Sequence, residues 1–432
     1  MWLLDKLLGK VIARGALMVT DHDGKTYRYG EGGTTAEPIR IRLTDRKASG
    51  HIARHPQVGA GEAFMWGWLV VEPPHDIRDL ILLFSQNANA HDLAASGDGA
   101  MKAQGPLRKL SEKLLATADG FNPRGRARKN AEHTYNLTRR LYELFLDEDR
   151  QYTMGYHRRE DVSLEQAQVD KKAHLAAKMY IQPGQRVLDI GCGWGGFALF
   201  LARHYDVEVT GVALAPDQIA FCQERAAAEG LADRVKFHLM DYRDVTGRFD
   251  RISSVGLLEH VGTVHYPEFY AHTNRLLASD GVMLSHCCGR AGPPGHTDAW
   301  TRKYIFPGGY IPALSELVTQ SEKAGWQVMD VEGMRFHYSL TLAEWYRRTV
   351  LHREEIVSLY DEQFYRMWLF YLAGAEQSFR YGKMVNWQLL YVKDRAAIPM
   401  TREWIEQEAA RLRAAQPAPA WSLDPELREA AE

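Results

Sequence analysis

The first sixteen residues mix apolar and basic positions with the period of a helix. The basic residues Lys6, Lys10 and Arg14 are four apart. Apolar residues lie between them, at Leu3, Leu4, Leu7, Leu8, Val11 and Ile12. Because the charges are spread through the segment, it does not resemble a signal peptide. The pattern predicts an amphipathic basic helix. Such a helix can lie on an anionic bilayer surface or pack on its own domain, and both interpretations are open.

The following residues carry short apolar runs that are typical of strands. Three runs predict strands: 16–21, 25–30 and 39–45. Asp23 and Gly24 form a predicted turn between the first two. A further apolar segment covers 63–72, and 76–85 predicts a short helix. Residues 1–94 are therefore expected to form a small α+β domain that associates with lipid or membrane.

The region from 133 to 400 has a different pattern, in which β-rich runs alternate with helical ones. Five runs predict strands: 186–191, 207–214, 235–240, 249–255 and 282–287. Helical segments such as 216–229 separate them. This alternation predicts a parallel sheet covered by helices, which is an α/β fold.

Two segments are expected to lie outside these domains. Residues 95–132 predict a linker, since Ala, Gly and Asp are frequent at its start. This linker is expected to contain one helix near 107–115 and a basic run at 123–129. Residues 401–432 predict a C-terminal helix and a loose tail.

Composition excludes several classes of function. The chain has 53 Lys and Arg against 55 Asp and Glu, a net charge of −2, so no overall basic field is available for nucleic acid. The longest run without a charged residue, 190–202, is glycine-rich and shorter than a membrane-spanning helix. Four cysteines without a CxxC or Cys/His spacing predict neither a disulfide framework nor a metal site. A reducing cytoplasmic location is the expectation.

A glycine-rich turn at 187–196, with the sequence VLDIGCGWGG, lies between a predicted strand and a predicted helix. Its glycines fit GxGxxG, so a dinucleotide-binding dehydrogenase is one interpretation. Against NAD, Asp189 precedes the glycines, and no acid ends the second strand near 211–214 to bind a ribose. The pattern instead resembles motif I of the class I S-adenosylmethionine-dependent methyltransferases.

The chain also resembles one family over a much longer stretch, from about Tyr135 to Lys393. This family comprises the cyclopropane-fatty-acyl-phospholipid synthases, with the mycolic acid cyclopropane synthases and fatty-acyl C-methyltransferases. Besides the glycine turn, four motifs carry the resemblance: DYRDV (241–245), FDRISSVGLLEHVG (249–262), LSHCCG (284–289) and KYIFPGG (303–309). GAGEAFMWGWLVVE (59–72) resembles the N-terminal domain of the same family. The implied fold is a Rossmann-like class I methyltransferase domain preceded by a smaller α+β domain.

The resemblance implies methyl transfer from S-adenosylmethionine to an alkene carbon, followed by loss of a proton. In the family the base is a bicarbonate ion, and the matching residues here are the side chains of Glu259, His286 and Tyr338 and the backbone of Met154 and Cys288. Without the motifs around them, Glu259 would be interpreted as a helix cap and His286 as a buried core histidine.

The resemblance also implies a set of cofactor contacts and a closed aromatic pocket around the cation. The cofactor set is Tyr152, Thr153, Asp189, Gly191, Gly193, Trp194, Gly195, Leu214, Gln218, Asp241 and Tyr242. Aromatic candidates for the pocket are Tyr152, Tyr156, Tyr304, Phe306, Tyr338, Trp345, Phe364 and Trp368, of which about a third are expected to line it and the rest to be core. No metal site is expected.

Some positions depart from the family pattern. Met154 replaces the usual cysteine, Thr134-Tyr135-Asn136 replaces a His-Tyr-Asp signature with His133 one place early, and Ala213 and Ala215 replace a Thr and a Ser. These changes leave methyl transfer in place and weaken the inference that a ring closes. Cyclopropane formation is the first expectation. A paralogue that gives a methyl or methylene branch, and a catalytically inactive lipid-binding protein, are the alternatives.

The expected partners follow from the substrate class. They are a phospholipid membrane surface with unsaturated acyl chains and a second copy of the chain in a homodimer; no nucleic acid is expected. The protein is expected to be cytoplasmic and peripherally associated with the inner face of the membrane.

Overall fold

The computed structural model describes residues 1–30, 37–95 and 137–415. Four sequence-based expectations therefore fall outside the described residues: the helix near 107–115, the basic run at 123–129, the signature at 133–136 and the tail beyond 415. No described helix is both long and apolar enough to cross a bilayer.

The described residues form eleven β-strands and sixteen α-helices. The strands are β1 (Leu17–Thr20), β2 (Thr26–Tyr29), β3 (Ile39–Leu43), β4 (Leu69–Val71), β5 (Gln185–Ile190), β6 (Val207–Ala213), β7 (Val235–Leu239), β8 (Phe249–Val255), β9 (Leu277–Arg290), β10 (Gln327–Met334) and β11 (Met384–Val392). The helices are α1 (Trp2–Val11), α2 (Ala48–Arg54), α3 (Gly59–Met65), α4 (Ile77–Ala95), α5 (Arg139–Phe145), α6 (Leu164–Lys178), α7 (Gly196–His204), α8 (Pro216–Ala228), α9 (Leu258–Val261), α10 (Tyr266–Leu276), α11 (Ala299–Tyr304), α12 (Leu314–Lys323), α13 (His337–Leu351), α14 (Arg353–Leu359), α15 (Glu362–Arg380) and α16 (Glu403–Ala414).

The described residues form two compact units. The N-terminal unit contains the described residues up to 95 together with Thr297–Pro307 and Leu342–Lys383. The sheet unit contains the rest. Two segments that the sequence analysis assigned to the 133–400 domain thus cluster with the N-terminal residues. Polar contacts help to explain this, because Arg78 Nε donates to Glu376 Oε2 at 2.6 Å and Tyr346 OH donates to Asp76 Oδ2 at 2.9 Å.

The N-terminal unit contains a four-stranded sheet in the order β2-β1-β3-β4. The three strands predicted from alternation are all present, and the predicted helix at 76–85 extends to Ala95 as α4. The apolar segment 63–72 is divided between the end of α3 and β4. This arrangement confirms an α+β fold for the N-terminal region.

Helix α1 is amphipathic as predicted, but it uses only part of its apolar surface for packing. Leu4, Leu8 and Ile12 are buried in the N-terminal unit, whereas Trp2 is 70% and Leu3 43% exposed. The helix packs against α2 and α4. The prediction that this helix packs on its own domain is therefore confirmed for one face, whereas the face with Trp2 and Leu3 is exposed.

The sheet unit is built on seven strands in the order β10-β11-β9-β8-β5-β6-β7. Strands β9, β8, β5, β6 and β7 are parallel, and β11 runs antiparallel to both of its neighbours. Apolar cores lie on both faces; in β5, for example, Val187 belongs to one and Leu188 to the other. The Rossmann-like α/β fold is confirmed. The loops after the parallel strands meet at one edge, which is where such sheets bind ligands.

Candidate active site

The glycine turn follows β5 and leads directly into α7. Gly191, Gly193 and Gly195 have φ values of +79°, +53° and +79°, a region that side chains rarely adopt. A Cβ on Gly195 would lie 2.8 Å from Cys222 Sγ, so this glycine is required by packing. A Cβ on Gly193 would meet no described atom within 4 Å. Open space therefore lies beside the turn at Gly193, where a ligand can approach the backbone.

Asp189 lies under this turn in β5 and is almost fully buried. Its Oδ1 accepts a hydrogen bond from Ser253 Oγ at 2.7 Å, on the neighbouring strand β8. Burial raises the pKa of Asp189 to about 6, and the Ser253 bond opposes the rise. The carboxylate thus ties β5 to β8 within the sheet, and its predicted role in cofactor binding stays a prediction.

Four predicted cofactor residues lie at the ends of β6 and β7. Leu214 is partly exposed after β6, and Gln218 is buried in the first turn of α8. Asp241 follows β7, and Arg243 donates to both of its carboxylate oxygens, at 2.8 and 2.6 Å. The adjacent Tyr242 packs its ring against Phe269. The bidentate Arg243 was not anticipated, although its spacing of two residues within DYRDV could have indicated it.

The segment from Tyr152 to Gly155 lies against the turn after β8 and shares an aromatic neighbour, Tyr142, with Trp194 of the glycine turn. The Tyr152 and Trp194 rings both lie edge-on to Tyr142, at 5.6 and 5.8 Å between centroids. Met154 is fully buried. Thr153 lies against the turn after β8, since a Cβ on Gly256 would be 2.9 Å from Thr153 Cγ2. The structure therefore brings the predicted residues of this segment close to the carboxyl edge of the sheet.

The aromatic residues proposed for a closed pocket are divided between the two units. Three belong to the sheet unit: Tyr152, Tyr156 and Tyr338. Five belong to the N-terminal unit: Tyr304, Phe306, Trp345, Phe364 and Trp368. In the latter group Tyr304 OH donates to the buried Glu62 at 2.7 Å, and Phe364 stacks with Trp368.

Glu259 lies in α9, immediately after β8, and its carboxylate reaches across to β9. The Cys288 N–H donates to Glu259 Oε1 at 2.6 Å. The second oxygen, Oε2, is buried and has no hydrogen-bond partner among the described residues. Burial raises the pKa of Glu259 to about 7. The side chain is therefore more than a helix cap, because it presents one unsatisfied oxygen and can exchange a proton near neutral pH.

The backbone of Cys288 is predicted to act near an anion. In the structure its N–H group, which carries a single hydrogen, donates to Glu259, and the role near an anion stays a prediction. Cys288 thereby orients the carboxylate of Glu259. Its neighbour Cys287 is fully buried in the apolar core, as the alternation of side chains along a strand requires.

His286 lies two residues before Cys288, on the same face of β9. Two amides of β11 bracket its ring: Gln388 Nε2 lies 3.1 Å from Nδ1, and Asn386 Nδ2 lies 3.5 Å from Nε2. Burial lowers the pKa of His286 to about 3, so the imidazole is neutral. The contact at Nε2 is longer than the contact at Nδ1. Nε2 is therefore the ring nitrogen better placed to form a hydrogen bond with a further group.

Tyr338 occupies the first turn of α13 and is largely buried. Its neighbour His337 accepts a hydrogen bond at Nδ1 from the His157 N–H at 3.0 Å and stacks on Tyr156. The start of α13 is thus joined to the chain that continues from Met154. The neighbouring strands β8 and β9 position Glu259, His286 and Cys288, whereas Tyr338 lies on a separate element, α13.

Helix α6 contributes polar residues that the sequence analysis missed. Lys171 Nζ donates to Gln151 Oε1 and Thr153 Oγ1, both at 2.7 Å, and Gln168 Nε2 donates to the Thr153 carbonyl at 2.8 Å. The signal for them was weak, because lysines in a helix are usually solvated. The one local indication of burial is that these lysines lie in an otherwise Ala-rich stretch, DKKAHLAAK.

Comparison with known proteins agrees with this geometry. Residues 123–389 match the family model described as mycolic acid cyclopropane synthetase. The chain is 36% identical over 313 residues to a probable fatty acid methyltransferase of Pseudomonas putida, covering 68% of this chain and 79% of that protein. It is 34% identical over 357 residues to the cyclopropane-fatty-acyl-phospholipid synthase of Escherichia coli, covering 82% of this chain and 88% of that protein.

A solved structure extends the comparison to the cofactor. The mycolic acid cyclopropane synthase CmaA1 complexed with SAH and CTAB matches with a TM-score of 0.58 and 28% identity, covering 63% of this chain and 99% of that one. SAH is the product that S-adenosylmethionine leaves after methyl transfer. The chain belongs to the mycolic acid cyclopropane synthetase family and is an S-adenosylmethionine-dependent C-methyltransferase of the cyclopropane synthase type.

Proposed function

We propose that the protein forms cyclopropane rings at the cis double bonds of unsaturated fatty acyl chains while these are part of phospholipids. The observation that carries the proposal is the unsatisfied Oε2 of Glu259, at the sheet edge that also carries the glycine turn; the other oxygen of this carboxylate accepts from Cys288, which lies two residues after His286 on β9. The name of the Escherichia coli relative supports phospholipid as the substrate class.

We propose that the methyl donor binds at the turn after β5. The positive φ values of the glycines and the open space beside Gly193 allow the backbone to approach a ligand closely. We propose that Thr153, Gln218 and Asp241 contribute polar contacts around the rest of the cofactor, together with the other predicted cofactor residues. S-adenosylmethionine supplies the methyl group and, as a sulfonium, a good leaving group.

We propose that bicarbonate is held by Glu259, His286 and Tyr338, and that it supplies the base for the final proton loss. An ionised carboxylate would repel such an anion, but a carboxyl whose pKa is near 7 can donate its proton and form a charge-assisted hydrogen bond. Glu259 Oε2 is the atom available for this bond, while the Cys288 amide fixes Oε1. The neutral His286 can donate or accept at Nε2. Met154 is expected to contribute its backbone amide.

We further propose that α1 holds the enzyme on an anionic membrane surface. Trp2 and Leu3 remain exposed next to Lys6, whose Nζ lies 4.2 Å from the centroid of the Trp2 ring. Aromatic and basic side chains of this kind suit the boundary between headgroups and acyl chains. Leu4, Leu8 and Ile12 are committed to the fold, so only part of the apolar pattern of this segment is left for lipid.

Two further parts of the proposal concern assembly and location. We propose that the protein acts as a homodimer on the cytoplasmic face of the membrane, where its four unpaired cysteines stay reduced. Sedimentation equilibrium would test the dimer, and a monomer at micromolar concentration would contradict it. Fractionation of cells expressing the protein would test the location.

One experiment tests the reaction itself. The protein is expressed in a host without a synthase of its own, and extracted phospholipids are analysed by mass spectrometry. A gain of one CH2 per modified chain, in a ring, is the expected result, and the Glu259→Gln variant is the control that should give far less product. A methyl or methylene branch would identify the paralogous reaction instead. Unchanged lipids would favour the inactive lipid-binding protein.

A further inference from the structure

Three lysines of α6 are buried, and Lys171 alone among them has no directly bonded carboxylate; burial lowers its pKa to about 7, while the charges of Asp147 and Asp149 favour its ammonium form. Lys172 pairs with Asp149, and Lys178 pairs with Glu332. Lys171 is only 1% exposed, yet its two described hydrogen bonds go to neutral oxygens, those of Gln151 and Thr153. Burying an ammonium group is costly unless it is compensated, so a buried lysine without a directly bonded carboxylate suggests a specific role.

The two residues that Lys171 binds contact different parts of the site. Gln151 lies against the start of α7, since a Cβ on Gly196 would be 2.5 Å from Gln151 Nε2. Thr153 lies against Gly256, in the turn between β8 and the helix that carries Glu259. The Lys171 ammonium therefore bridges two side chains. Gln151 lies against the end of the glycine turn, and Thr153 lies against the turn before Glu259.

Backbone contacts support the same segment. Gln168, one turn before Lys171 on α6, donates to the carbonyl of Thr153 at 2.8 Å. The charge of Lys171 also contributes to lowering the pKa of His286, after the larger effect of burial. The ammonium is thus within electrostatic range of β9 as well as in direct contact with the 151–153 segment.

We infer that Lys171 is a positioning residue for the methyl donor: it fixes the side chains of Gln151 and Thr153 so that Thr153 presents its hydroxyl to the cofactor beside the glycine turn. This inference rests on the proposed role of Thr153 in cofactor binding. A two-point contact from one ammonium sets the distance between the two oxygens and the rotamer of Thr153. Gln168 holds only the backbone and cannot set that rotamer.

Lys171→Met removes the ammonium and keeps most of the side-chain volume. We expect the dissociation constant for S-adenosylmethionine, measured by calorimetry, to rise at least tenfold. The KM for S-adenosylmethionine should rise by a similar factor, while kcat at saturating cofactor stays within about threefold. If the substitution only reduced the fraction of folded protein, the KM of the protein that remains folded would not change.

Lys178→Met is the matched control, because it removes another fully buried lysine of the same helix that does not contact the 151–153 segment. It is expected to lower the unfolding temperature and to leave the cofactor affinity of the folded protein unchanged. An equal loss of affinity in both variants would overturn the inference, and so would wild-type affinity in Lys171→Met.

Thr153→Val supplies a second, independent test that does not depend on the folding of Lys171→Met. Valine keeps the shape of threonine without the hydroxyl, so affinity should fall about tenfold, and Thr153→Ser should restore most of it. The double variant with Lys171→Met should be no more than about twofold worse than either single variant, because both break the same contact. Fully additive losses, near a hundredfold, would contradict the inference. Failure of the wild type to bind S-adenosylmethionine would refute the proposed function instead.

Discussion

Glu259→Gln keeps the shape of a buried side chain and removes its ability to exchange a proton. The amide oxygen of glutamine can still accept the Cys288 N–H, so the orientation of the side chain is retained. At the position of Oε2, however, a permanent NH2 donor replaces a group that can be protonated or ionised. We expect normal binding of S-adenosylmethionine and a fall in turnover of about 10²- to 10⁴-fold, the range for loss of an acid–base group.

The same substitution has a measurable effect on stability. Burial raises the pKa of Glu259 from its ordinary 4.5 to about 7, which at 1.36 kcal/mol per pH unit is a penalty of at most about 3 kcal/mol for the ionised form. Because the folded state binds the proton more tightly than the unfolded chain, wild-type stability falls as pH rises from about 4.5 to 7 and is constant above. Glutamine has no such penalty. The unpartnered NH2 group of glutamine carries a cost that does not depend on pH, so the stability of the variant relative to wild type should rise by up to about 3 kcal/mol from pH 4.5 to pH 8.

Both effects can be measured on the same preparations. Turnover on vesicles of unsaturated phospholipid is followed by mass spectrometry of the product, and the free energy of unfolding is obtained from urea titrations at pH 5 and 8. Glu224→Gln, at an exposed position of α8, is the control and should change neither quantity. Removing carbonate from the buffer should reduce wild-type turnover. Wild-type turnover in Glu259→Gln, or in carbonate-depleted buffer, would refute this assignment of the base.

Two further predictions concern the cofactor and the membrane. Gly193→Val should abolish binding of S-adenosylmethionine in calorimetry, because the valine side chain fills the open space beside the turn and strains a positive φ. Gly230→Val is the control and should bind normally, since Gly230 also has a positive φ and open space around it. Retained binding in Gly193→Val would be inconsistent with a ligand at the turn. Lys6→Glu combined with Lys10→Glu should weaken sedimentation with anionic vesicles, more at low than at high salt because the lost attraction is screened, with neutral vesicles as the control. Equal binding of wild type and double variant at low salt would make α1 purely structural.

The sheet unit could be predicted from sequence largely because its signals are local. The strands β5 to β8 begin and end within a residue or two of the predicted runs, since apolar runs bounded by turn residues are encoded in consecutive positions. The glycine turn between β5 and α7 follows for the same reason. Glu259 and His286 could be assigned to the carboxyl edge of the sheet, because each comes at or just after the end of a predicted strand.

The remaining features depend on contacts between residues far apart in the sequence. The Ala-rich stretch around Lys171 is only a weak local sign that this lysine is buried, because its acceptors are 18 and 20 residues earlier in the chain. The pairing of Cys288 with Glu259 uses a backbone amide, which every residue except proline possesses and which no motif reveals. β9 is longer than the predicted run at both ends, because Leu277 at its start pairs with Phe249 of β8 and the residues up to Arg290 at its end pair with β11.

The chain of the N-terminal unit is interrupted, since Thr297–Pro307 and Leu342–Lys383 belong to it although they are encoded within the methyltransferase region. This limits where the gene can be cut. A truncation that begins near residue 133 would leave Glu376, which is 1% exposed, without the guanidinium of Arg78 and would expose apolar surface of α15 that packs on α3 and α4. Such a fragment is expected to aggregate. An exchange of N-terminal units between relatives would have to transfer all three segments together.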